Sequence, residues 1–136
     1  MMRVLSLHAA VLVAALAGGA LAATSPDCNQ ADDAQACFAT QARAADTQLN
    51  VLYQQLLTRL DASAKNPKLK TLYLGVRSQL VTSEKAWVIF RDADCALFKA
   101  TRGGGAELET QLLACRLSHT QARIDNLKGW QQEIWQ

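Results

Sequence analysis

The groups able to do chemistry are few. Beyond residue 22 they are Cys28, Cys37, Cys95 and Cys115, one histidine (His119), and a scatter of carboxylates and arginines. A zinc site is disfavoured by spacing, because no close Cys-x-x-Cys pair exists. One histidine cannot build a multi-histidine metal site. Ser118 adjoins His119, but neighbouring helix positions point about 100° apart, so no serine hydrolase arrangement forms from them. Asp92 and Asp94, two residues apart, face different sides of a helix and make a poor carboxylate pair. Gly103-Gly104-Gly105 lacks the Lys-Ser/Thr ending of a phosphate-binding loop and reads as a helix-hairpin turn. These residues predict neither an enzyme nor a cofactor.

The cysteines read instead as crosslinks. Val4 to Ala17 form an apolar run behind Arg3, and Gly18 and Gly19 break it. Ala20-Leu21-Ala22 then fits a small-x-small cleavage site. Residues 1–22 are therefore expected to be a cleavable export signal and 23–136 the mature domain. The run is shorter than a membrane span of about 20 residues, and no cysteine follows the cleavage site directly, so no stable membrane anchor is expected after cleavage. An even cysteine count in an exported chain predicts two disulfides. Of three pairings, Cys28–Cys37 and Cys95–Cys115 are favoured, because each joins neighbours across one turn or loop. Each stabilises by roughly 2–4 kcal/mol. Removing Arg3 leaves 13 basic against 12 acidic residues. So even a balance argues against nucleic acid or an acidic membrane as partner.

The elements that must position these groups are helices. Phe38, Ala42, Ala45, Leu49, Leu52, Leu56 and Leu60 recur at steps of three and four, a nearly heptad seam. This first helix starts near Ala31 to Asp33 and ends before Asn66-Pro67. In the second, to about Lys99, the seam reads Leu69, Leu72, Val76, Leu80, Ser83, Trp87, Phe90 and Leu97, with Gly75 expected to mark a close helix contact. The third starts near Ala106 and carries Leu113, Leu117, Thr120, Ile124, Leu127 and Ile134. Trp130 and Trp135 are expected to cap the bundle. Little period-two alternation occurs, so no strand is expected. The expected fold is all-α, a three-helix up-down-up bundle with two disulfides.

At 1.5 Å per residue, Asp46, Glu84 to Trp87, and Arg123 fall at one level of such a bundle. Asp46, Asn50 and Tyr53 share a helix face. An Asp46–Arg123 ion pair, with Asn50 and Tyr53 nearby, is the expected structural polar network. Arg91 is a further structural cation, and His119 an ordinary surface histidine.

The order and spacing of Cys28 and Cys37, of Asp46, Leu49, Asn50 and Tyr53, and of Leu80, Ser83, Trp87, Phe90, Arg91, Asp92 and Cys95 form a pattern. It continues through the Gly103 to Gly105 loop to Cys115, Thr120, Arg123 and Leu127. In this the chain resembles the LprI-like lysozyme-inhibitor family, over nearly the whole mature region. Glu84 departs from the pattern, where similar sequences often carry Gln. The resemblance implies an all-helical, disulfide-stabilised domain of the cell envelope, periplasmic or secreted. It implies a protein partner, lysozyme being the candidate, and it assigns no inhibitory contact residue. The expected function is a periplasmic binding protein that inhibits lysozyme-type muramidases, with an envelope structural or adaptor protein as the alternative. The Arg102, Gly103, Gly104 and Gly105 tip is the candidate partner contact.

Overall fold

The computed structural model describes residues 26–102 and 104–135, and of Arg102 the backbone. The expected export signal lies outside the described residues. A short 3-10 turn, Cys28–Gln30, precedes three helices: α1 (Ala34–Ser63), α2 (Lys70–Arg102) and α3 (Ala106–Ile134). Side-chain pairs fix their directions. Asp46, early in α1, meets Arg91, late in α2, while Asp61, late in α1, meets Arg77, early in α2. Ser63 at the end of α1 meets Trp135 just beyond α3. The helices therefore run up, down and up.

Each boundary has a local cause. Asp33 caps α1, its carboxylate accepting from the Ala36 amide at 2.9 Å. At the α1–α2 turn the Asn66 side chain accepts from the Lys68 amide. Residues 67–69 remain a turn, so α2 begins at Lys70. Gly105, at φ 119°, starts α3 in a conformation open to glycine alone. Glu107 and Glu109 then lie at the positive end of the helix.

The core belongs to α1 and α3. In α1, Ala42, Ala45, Leu49, Leu52, Leu56 and Leu60 are all buried, as the seam predicts. In α3 the buried residues are Leu108, Leu112, Leu117, Thr120, Arg123, Ile124 and Leu127. Leu113 is only half-buried, because the first turns present Leu108 and Leu112 instead. Helix α2 departs most from expectation. Leu69, Leu72, Phe90 and Leu97 are exposed, and Cys95 is its one fully buried residue among those described. Its inward stripe runs through Tyr73, Arg77, Leu80, Glu84, Trp87, Arg91, Asp94 and Phe98. At about 100° per residue, Phe90 and Leu97 lie roughly a quarter-turn from the centre of that stripe. The hydrophobic pattern misplaced the helix because half of its inward side chains are polar.

The two disulfides are Cys28–Cys37 and Cys95–Cys115, as the spacing favoured. The first ties the lead-in to the start of α1, helped by Gln41 Nε2 donating to the Pro26 carbonyl at 2.7 Å. The second joins α2 to α3. At the other end Trp135 caps the bundle, its Nε1 donating to Ser63 Oγ at 3.2 Å under the Arg59 guanidinium. Trp130 does not share this role and is 54% exposed. No described helix is long and apolar enough to cross a membrane.

Burial decides what truncation should cost. Leu127 is 0% exposed and Leu97 is 62% exposed. Leu127→Ala should lower stability by about 2–5 kcal/mol, whereas Leu97→Ala should stay within about 0.5 kcal/mol. Urea midpoints of the two variants check this; equal midpoints would contradict the placement of α2.

Candidate functional site

The polar stripe of α2 meets α1 and α3 in a belt around Trp87. Arg123, pointing in from α3, donates from Nε to Glu84 Oε2 at 2.9 Å and from Nη2 to Ser83 Oγ at 3.0 Å. Arg91 donates to Asp92 at 3.1 Å and makes longer contacts with Asp46 at 3.4 Å and Thr120 at 3.5 Å. Thr120 in turn donates to Asp46 at 3.2 Å. Both guanidiniums lie by the Trp87 ring, Arg91 at 5.1 Å and Arg123 at 5.8 Å from its centroid, within the range of cation–π attraction.

The expected Asp46–Arg123 pair does not form. Asp46 instead meets Arg91 and Thr120, and Arg91 lies about two turns along α2 from Glu84. Arg123 faces α2, where Glu84 supplies the carboxylate, and Asp46 faces Arg91 across the α1–α2 seam. Glu84, noted as the departure from the family pattern, is thus the main partner of the most buried cation. Tyr53 packs half-buried against the core. Burial and then the Glu84 carboxylate push its phenol above the ordinary 10.0, with Arg77 opposing. Asn50 stays exposed on α1. His119 is not a plain surface residue: its Nε2 lies 2.8 Å from Asp94 Oδ2, and its ring meets Phe90 edge-on.

Beside the belt an apolar groove of about 590 Å³ opens between α2 and α3. Leu72, Val76, Leu80, Trp130 and Ile134 line it, and Ser83 and Arg123 border it. Gly75 lines it too, and a methyl group added there would meet nothing within 4 Å. That glycine therefore marks an open groove and not the close helix contact expected. At the opposite end of α2 the chain turns through the Arg102 to Gly105 tip, of which Gly104 and Gly105 are described and exposed. Each carboxylate of the belt already faces an arginine.

The profile of the family described as "Lysozyme inhibitor LprI" matches residues 25–127. The chain belongs to that family. The match takes in both disulfides, the belt and the tip loop. An uncharacterized protein of Rhizobium meliloti (strain 1021) is 29% identical over 107 residues, covering 76% of this chain and 77% of its own length. No solved structure matches. For this LprI-family chain, sequence reasoning located Arg91 and Arg123 but missed the Asp94–His119 contact. Their separation of 25 residues leaves no local signal.

Two outcomes test the belt. Arg123 and Glu84 have side chains only 9% and 15% exposed. Arg123→Ala should therefore destabilise by about 3–5 kcal/mol through the unpaired carboxylate, and Arg123→Ala with Glu84→Gln should recover part of that loss. A double-mutant cycle in urea reads it. For Tyr53, the folded state keeps its proton after the unfolded chain has released its own. The contribution is therefore fully present below pH 10.0 and is lost as pH rises through the raised value. Tyr53→Phe should flatten that alkaline loss, measured as urea midpoints on either side of pH 10.

Proposed function

We propose that this protein is a periplasmic binding protein that inhibits lysozyme-type muramidases. The family match over residues 25–127 carries the reading. The physical form of the chain supports it. Two disulfides and a buried α1–α3 core make a stiff body, and a stiff binder loses little conformational freedom on association. A crosslinked, signal-led chain suits an oxidising compartment.

A lysozyme-type muramidase works with two carboxylates that flank the glycosidic bond. An inhibitor has to deny the polysaccharide access to the space between them. The Arg102 to Gly105 tip is the proposed contact. Arg102 follows Cys95 by seven residues, about 10 Å of helix, so the second disulfide braces the tip from below. A basic residue in a glycine-rich segment complements an acidic cleft in charge. Inhibition then needs only occupancy of the cleft and no chemistry by this chain.

The exposed apolar edge of α2, with Ile89 at 71%, Phe90 at 55% and Leu97 at 62% exposed, favours one further reading. It is an envelope structural or adaptor protein that docks another protein along α2. A lytic assay separates the two. Purified mature protein at micromolar concentration should slow muramidase lysis, and Arg102→Glu should weaken that by tenfold or more (~1.4 kcal/mol) with helicity unchanged. Unaltered lysis across several lysozyme classes would dismiss the inhibitor reading.

A further inference from the structure

Near the tip-loop end of the bundle the topology collects metal-ligating groups that lie far apart in sequence. The Sγ atoms of Cys95 and Cys115 and a ring nitrogen of His119 all lie within 4.8 Å of one another. Cys115 and His119 are one helical turn apart on α3, so they share a face. Sequence spacing argued against a metal here, since there is no Cys-x-x-Cys. The antiparallel pairing of α2 with α3 provides what spacing lacks.

The surroundings suit an ion. Asp94 Oδ2 lies 2.8 Å from His119 Nε2. This fixes the ring plane and leaves Nδ1 as the nitrogen available to a metal, the carboxylate–histidine–metal arrangement common in zinc sites. Phe90 meets the same ring edge-on at 5.4 Å and walls one side with hydrocarbon. A depression of about 320 Å³ reaches the group, lined by Asp94, Phe98, Gln111, Cys115 and His119. Gln111 Oε1 on that depression is buried and has no hydrogen-bond partner among the described residues. Its Nε2 is spoken for, donating to Glu107 at 3.1 Å.

In the oxidised protein both sulfurs are bound to each other. We propose that reduction of the Cys95–Cys115 disulfide creates a zinc site made of the two thiolates and His119, with Asp94 orienting the imidazole. A dithiol reductant supplies two electrons and two protons: its own sulfurs join, the Cys95–Cys115 bond breaks, and two thiols result. Zinc then displaces both thiol protons to solvent. With zinc–sulfur bonds of about 2.3 Å in a tetrahedron, the sulfurs need to part to about 3.8 Å. That is a small side-chain movement once the bond between them is broken. A water filling the fourth position would donate to Gln111 Oε1. Soft thiolates with an imidazole select zinc over magnesium or calcium. The metal and the disulfide are thus alternative pins between α2 and α3, exchanged by redox state.

Cobalt(II) serves as the spectroscopic probe. Mature protein is reduced with a dithiol, which is then removed under anaerobic conditions, and cobalt(II) is titrated in. One equivalent should bind, with a thiolate-to-cobalt charge-transfer band and intense tetrahedral d–d bands, and zinc should displace it. Oxidised protein should show neither band. Asp94→Asn should weaken binding by about 10–100-fold, His119→Ala by at least that much, and the Cys28→Ala/Cys37→Ala variant should bind as wild type does. Circular dichroism of the reduced protein should show zinc raising its Tm. Three results would overturn the site: no charge-transfer band, a band that survives in the Cys95→Ala/Cys115→Ala variant, or a band indifferent to His119→Ala. Reduced chains that unfold and do not regain helix with zinc would also overturn it.

Discussion

The contact on which the fold most depends is Arg123 with Glu84. A guanidinium brought this far into a small bundle needs a carboxylate and a further acceptor to hold it, and Glu84 and Ser83 supply them. Because both belong to α2, this one cation fixes how α2 is rotated. Once Glu84 faces inward, Trp87 and Arg91 follow on the same side, one and two turns along. Both guanidiniums then lie by the Trp87 ring. Such a buried pair adds little net stability against an apolar substitute, but it selects one rotation among several.

The rotation has a cost in burial. Helices α1 and α3 interlock leucine, isoleucine and alanine along most of their length. Helix α2 lies over them with a half-polar face and turns Leu72, Ile89, Phe90 and Leu97 outward. With so little apolar burial of its own, α2 relies on other ties. The Cys95–Cys115 disulfide pins its C-terminal half to α3, and the Arg77–Asp61 pair at 2.8 Å lies near its start. The groove between α2 and the last turns of α3 is the space left where these ties are sparse.

That division agrees with the inhibitor role proposed above. The α1–α3 pair and the crosslinks supply stiffness, while the surfaces of α2 and the tip remain for contact. A protein that acts by occupying a cleft needs shape and charge held in place. The belt spends its charges on internal pairs.

Much of this was legible in the chain itself. The number of helices, the α1 seam, the breaks at Asn66-Pro67 and Gly103 to Gly105, and both disulfide pairings follow from local pattern, since each cysteine pair brackets a single turn or loop. Three-residue and four-residue steps report burial well when the inward face is apolar, as in α1. They failed for α2, where Arg77, Glu84, Arg91 and Asp94 point inward and Leu72, Ile89, Phe90 and Leu97 point out. Helix rise put Glu84 level with Arg123 but set Asp46 there too, whereas Asp46 meets Arg91 two turns along α2; register and rotation are decided only by the packing of all three helices. For the same reason the meeting of Cys95, Cys115, Asp94 and His119 belongs to the tertiary structure. Their separations carry no short-range signal, and antiparallel docking of α2 on α3 is what brings them together.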